Sequence, residues 1–271
     1  MLARLFTNHR KLILGLIIVL VVGIGVAFAS RSQLNLPFFA RTADPQDSDK
    51  IITANLVDPT QIQSISKFRS CAGHEYFTSP DYSGQPEGDS NMKLYFSPIS
   101  RYLNTTNALK LDSPFDSTVH IFSLAGSTGS GMILERQPFD GWYAEVFHID
   151  PPVSDGATVK AGDLLGYAHM VNERAFDFVL QRFKTEVDPR RHQQDEFLTK
   201  NTEPVFSHMT DALLAQWATH GITADNTVVD RSYRLANPCQ CAKNQPYDPA
   251  AATSHFCHFE PTPGDSVTVS Q

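Results

Sequence analysis

The chain has 271 residues, 41% hydrophobic and 19% charged, a composition that excludes intrinsic disorder and gives length for one large domain or two modest ones. Five of its 22 basic residues (Arg4, Arg10, Lys11, Arg31, Arg41) and none of its 29 acidic ones lie in residues 1–43, so the remainder carries 17 against 29, a net of −12 with histidine neutral. A body of that sign repels nucleic acid and anionic lipid faces, which excludes nucleic acid as a partner.

The first predicted element is apolar. Leu12 to Ala29 contains eighteen residues and no charge, and at about 1.5 Å per residue it forms roughly 27 Å of helix, close to a hydrocarbon core of about 30 Å. An amphipathic core helix would show polar positions at helical spacing, and none appear. Arg4, Arg10 and Lys11 precede it, so the positive-inside rule predicts a single-pass membrane anchor through residues 12–29, with residues 30–271 outside the cytoplasm. Ala27-Phe28-Ala29 also fits a small-x-small cleavage site, and the alternative is a chain secreted after cleavage near Ala29.

Residues 1–29 are thus predicted as cytoplasmic N-terminus plus anchor or signal, and the polar, proline-punctuated residues 30–60 as a linker. Residues 61–183 are predicted as a β domain. Val119 to Phe122, Met132 to Leu134, Tyr143 to Ile149, Leu164 to Ala168 and Phe176 to Phe183 are rich in β-formers and separated by turn signals, a spacing that suggests an all-β sandwich or barrel. Residues 184–271 are predicted as a helical, cysteine-containing extension. Thr202-Glu203-Pro204 reads as a helix start; Phe206, Met209, Leu213, Leu214 and Trp217 as its apolar stripe; and Gly221 as its stop.

The stretch from Ser113 to Leu180 carries a longer pattern. It runs Ser113-Pro114-Phe115-Asp116-Ser117-Thr118-Val119, then Val146-Phe147-His148-Ile149, then Val159-Lys160-Ala161-Gly162-Asp163-Leu164-Leu165-Gly166-Tyr167-Ala168, then Phe176-Asp177-Phe178-Val179-Leu180. In order and approximate spacing this resembles the LytM/lysostaphin-like M23 metallopeptidase domain, whose strands read "AP-x-DG-x-V", "Y-x-H-L", "V-x-x-G-Q-x-I-G" and "H-x-H-F-E". The resemblance implies a mainly β, M23-like barrel-sandwich (duplicated hybrid) fold, with the helical C-terminal extension and one N-terminal transmembrane helix around it. It also implies a cell-envelope setting, with an envelope polymer such as peptidoglycan, or an envelope protein, as partner.

In that family two histidines and one aspartate hold zinc and leave a position for water. This sequence departs from the pattern. Its "H-x-H" position reads Ala175-Phe176-Asp177, and no "H-x-x-x-D" is present, the nearest candidate being His74-Glu75. Two readings follow. The preferred one is a non-catalytic domain without a cofactor that binds peptidoglycan or an envelope partner. The alternative is a divergent zinc endopeptidase acting on cell-wall peptides, with His74, His148 and Asp177 as metal ligands and Glu75 as general base. Each residue also has an ordinary reading: His148 as a core histidine in an alternating strand, Asp177 on a solvent face, His74 in a surface loop.

Cys71, Cys239, Cys241 and Cys257 are disulfide candidates in an oxidising compartment. Three connectivities exist, and closure of Cys239 on Cys241 is geometrically poor. A tie from Cys71 to the C-terminal segment is preferred. A small zinc site built from Cys239, Cys241, His255, Cys257 and His258 is the competing reading.

Overall fold

In the computed structural model, residues 49–76, 80–81, 84–124, 129–183, 200–242 and 257–271 are described. The predicted anchor at residues 12–29 lies outside them. Among the described residues no helix is long and apolar enough to cross a membrane.

Among the described residues eleven strands form one network: β1 (Ile62–Ser66), β2 (Leu94–Pro98), β3 (Lys110–Asp112), β4 (Ser117–Ser123), β5 (Ser130–Arg136), β6 (Trp142–Asp150), β7 (Thr158–Val159), β8 (Leu164–Ala168), β9 (Phe176–Phe183), β10 (Lys200–Glu203) and β11 (Ser266–Thr268). Their spatial order is β11-β1-β2-β9-β6-β5-β4-β7, with β10 on β9, and with β8 bridging β3 and the end of β6. Every strand pairing is antiparallel. The fold is mainly β with few helices, and each β-rich stretch read from the sequence lies on one of these strands.

Period-2 alternation sorts the central strands into two faces. Leu94 and Phe96 of β2, Met132 and Leu134 of β5, Trp142, Ala144 and Val146 of β6, and Phe176, Phe178 and Leu180 of β9 join the main apolar core. Phe96 stacks on Phe176 at 5.2 Å, and each such buried aromatic contributes about 2–3 kcal/mol of transfer free energy. The opposite face carries Tyr95, Glu145, Phe147, Asp177 and Gln181.

A bulge interrupts this alternation. Between Gly131↔Phe147 and Ser130↔Ile149 the register of β6 slips by one, and His148 takes φ +61°. The extra residue returns Ile149 to the core beside Val146 and leaves His148 half-buried. The sequence reading of His148 as a core histidine in an uninterrupted alternating strand is therefore corrected.

The Val159–Ala168 turn docks on the Ser113–Asp116 turn. Gly162 (φ +86°) donates its N–H to Ser113 O at 2.8 Å, and Asp116 accepts from Lys160 Nζ and Ala161 N. Gly166 meets a different need: a Cβ there would stand 2.6 Å from Asp150 O. This docking explains why the two motifs occur together.

Three boundaries differ from expectation. Ile51, Ile52, Leu56 and Val57 are core residues, so the folded body begins by residue 49 and the predicted linker does not extend to 60; the apolar pairs outweigh the prolines around them. The C-terminal part supplies strands β10 and β11 as well as helices α1 (Asp211–Ala218) and α2 (Arg231–Ala236), so it belongs to the sheet and is not only a helical extension. Thr202 does not cap a helix. It lies in β10, and α1 starts after Thr210. Gly221 (φ +78°) does end it, with Ile222 N–H donating to Trp217 O at 3.1 Å.

Candidate functional site

The polar face of β2, β6 and β9 is roofed by residues 71–76. The roof is held from three sides. Cys71 is bonded to Cys239 and Cys241 to Cys257. His74 bridges His258 antiparallel, with Glu75 N–H donating to Cys257 O at 2.7 Å and Phe259 N–H to Gly73 O at 2.9 Å. On the sheet side, Tyr76 exchanges backbone hydrogen bonds with Ser90 and Met92. At one end of the roof, Arg69 grips the buried Glu87 carboxylate through two bonds of 2.7 Å.

Gly73 is dictated by this close approach. It takes φ +88°, and a Cβ there would stand 2.3 Å from the Tyr95 ring.

Beneath the roof stands Lys93, the residue just before β2. Its ammonium donates to Asp177 Oδ2 at 3.2 Å, lies 3.5 Å from His74 Nε2, and sits 3.8 Å above the Phe147 ring centroid and 4.8 Å from that of Tyr76. The Lys93 and Asp177 side chains are 5% and 4% exposed. Tyr95 and Phe147 are the register partners of Asp177 on either side, which aims all three side chains at the same space. Deeper along the face, Gln181 donates to Tyr76 Oη at 2.9 Å, and the Tyr76 hydroxyl stands 3.5 Å from the buried Glu145 carboxylate.

His74 is held in one tautomer. Its Nδ1 lies 2.9 Å from the Glu75 carbonyl oxygen, which can only accept, so Nδ1 carries the proton and Nε2 presents a lone pair to the Lys93 ammonium. Burial and then the Lys93 charge lower its pKa from 6.5 to about 3, with smaller contributions from His258 and His148 against the Glu75 carbonyl bond. The Tyr95 hydroxyl is pushed well above its ordinary value by burial and by the Asp177 charge.

This lowering predicts an acid-side loss of stability. Between about pH 6.5 and 3 the unfolded chain holds a proton on His74 that the folded chain refuses, so stability falls as pH drops through that window. The His74 ring remains partly reached by solvent, so the expected loss is on the order of 2–3 kcal/mol. His74→Gln should flatten the pH dependence of urea unfolding across this range. Imidazole nitrogen chemical shifts should show the Nδ1–H form down to about pH 4; a ring protonated at pH 6 would contradict the buried placement.

The sequence-predicted site residues divide. His74 and Asp177 come together, joined by Lys93. His148 stands on its bulge with Nδ1 3.5 Å from Glu173 Oε1. Glu75 is half-buried in the roof, its backbone tied to Cys257 and its carbonyl to His74. Among the described residues no group of three or more His, Cys, Asp or Glu is placed to hold a metal. Asp177 is a buried ion-pair partner and not a solvent-face residue. All four cysteines are in disulfides, which leaves no thiolate for the tail zinc site; His255 lies outside the described residues. Lys93 was missed because Lys93-Leu94-Tyr95-Phe96 alternates, and a lysine in such a pattern ordinarily faces solvent. Its only signal is that Tyr95 shares its face.

No protein-family model matches the chain, and no curated protein sequence matches it. Solved structures do. A zinc-containing peptidase from Vibrio cholerae matches at 17% identity and TM-score 0.34 over 49% of this chain and 37% of its own. The M23 metalloprotease pseudoalterin, from the deep sea, matches at 19% identity and TM-score 0.31 over 50% and 74%. The SpoIIQ–SpoIIIAH pore-forming complex matches at 13% identity and TM-score 0.32 over 53% and 91%. The match thus spans only 37% of the length of the first of these.

Proposed function

We propose that this chain is a non-catalytic cell-envelope module on an M23-like scaffold, presented outside the cytoplasm by its N-terminal segment. The observation that carries this reading is the Lys93 ammonium between His74 Nε2 and Asp177 Oδ2. Two of the three groups suggested as zinc ligands already share a buried monovalent cation, and a divalent ion cannot occupy the same space or tolerate that charge beside it. The residues present do not fit zinc.

With the sheet roofed at Lys93, ligand contacts pass to its rim. There the His148–Glu173 and His169–Asp150 pairs flank the end of β6. A shallow depression of about 330 Å³ is lined by Asn107, Asp150, Pro151, Pro152 and Tyr167. A tyrosine ring beside an amide and a carboxylate suits the mixed apolar and hydroxyl surface of a glycan strand. The partner favoured is peptidoglycan, with an envelope protein as the other candidate.

Sedimentation with insoluble peptidoglycan tests this. The purified chain should pellet with the polymer without releasing new amino groups, and Tyr167→Ala should reduce the pelleted fraction several-fold. Amine release abolished by a chelator would instead establish the divergent zinc endopeptidase.

A further inference from the structure

We propose that Lys93 and Asp177 condense to an intramolecular amide, cross-linking the start of β2 to β9. The reacting groups are already apposed, Nζ 3.2 Å from Oδ2, on adjacent antiparallel strands that fix their distance. Both side chains are at least nine-tenths buried, and the Phe147 and Tyr76 rings wall the ammonium from water. The second carboxylate oxygen, Asp177 Oδ1, has no hydrogen-bond partner among the described residues, nor has the hydroxyl of Tyr95 directly opposite in the register.

In water an ammonium and a carboxylate do not react, because the nitrogen has no lone pair and the carboxylate is a poor electrophile. In this water-excluded contact, proton transfer within the pair leaves an amine beside a carboxylic acid. Nζ then attacks Cγ and forms the N–C bond. The remaining extra proton on nitrogen passes to His74 Nε2, 3.5 Å away and carrying a lone pair, and from there to the departing hydroxyl. One Cγ–O bond breaks, one water leaves, and His74 returns to its starting state. Nothing is oxidised or reduced. The unpartnered Tyr95 hydroxyl supplies a donor for the oxygen on the tetrahedral carbon, and the strands make the step effectively unimolecular.

This inference stands apart from the binding reading, since the amide and the ion pair would both close the position to zinc, and a mass measurement is blind to peptidoglycan. The test is electrospray mass spectrometry of the full chain, denatured, reduced and alkylated. The expected mass is about 18 Da, one water, below that of the processed sequence. Proteolysis should give a branched peptide joining Lys93 to Asp177, a readout independent of N-terminal cleavage. Lys93→Met and Asp177→Ala should each restore the full mass, and His74→Gln should leave a fraction uncondensed. A wild-type chain at full mass with separate Lys93 and Asp177 peptides overturns the proposal, as does a water loss that persists in Lys93→Met. Condensation as fast in His74→Gln as in the wild type would remove His74 as the base.

Discussion

Relative to wild-type chain that holds the uncondensed ion pair, replacing Lys93 by methionine should lower the free energy of unfolding by about 3–5 kcal/mol at neutral pH. The partner left behind is the reason. Asp177 is 4% exposed on its side chain, its Oδ2 accepts from the lysine, and its Oδ1 has no partner among the described residues. Without Lys93 the carboxylate is buried beside Phe147 and Tyr95 with no compensating charge. Lys93→Met/Asp177→Leu should recover much of the loss, because apolar groups of similar volume replace a buried pair at little net cost. Urea unfolding of the four members of this cycle measures the coupling directly. A loss under about 1 kcal/mol for Lys93→Met would mean that water screens the pair, which its burial contradicts.

The Cys71–Cys239 bond should give the second large effect. It joins residues 168 apart, against 16 for Cys241–Cys257. In the chain-entropy model a loop of the first size stabilises by about 5 kcal/mol and one of the second by about 3 kcal/mol. Cys71→Ala/Cys239→Ala should therefore cost more than Cys241→Ala/Cys257→Ala. The consequence is also local. Cys71 begins the segment that carries His74 and Tyr76 over the sheet, and Arg234 Nη1 packs on its sulfur at 2.8 Å. Loss of this tie should loosen the roof before the sheet melts. Hydrogen exchange would show it as faster exchange at Glu75 and Tyr76 N–H groups, with β6 and β9 still protected. Equal costs for the two cysteine pairs would indicate that the roof is held by its backbone bonds and not by the long closure.

Much of the sheet was legible because its signals are local. Phe176-Asp177-Phe178-Val179-Leu180 alternates, and the Gly162 turn announces a reversal on its own. β2, β10 and β11 were not legible, since strands of three to five residues with mixed polarity take their structure from partners far along the chain. Ile51 and Leu56 were hidden for the same reason, in a segment whose prolines suggested a linker. His74 and Asp177 could be named as site residues through the family resemblance. Their meeting point could not, because it depends on a lysine that alternation assigns to solvent and on a covalent tie spanning most of the chain. The bulge at His148 left no mark in the sequence, and without it the strand pattern put that side chain on the wrong face.

The most direct test of the place Lys93 occupies between His74 and Asp177 is zinc content. The wild-type chain, dialysed against a modest excess of zinc and then freed of loosely bound ion, should retain far less than one zinc per molecule by elemental analysis. Retention of about one zinc per chain, lost in His148→Ala and in Asp177→Ala, would contradict the occupancy of that position by Lys93.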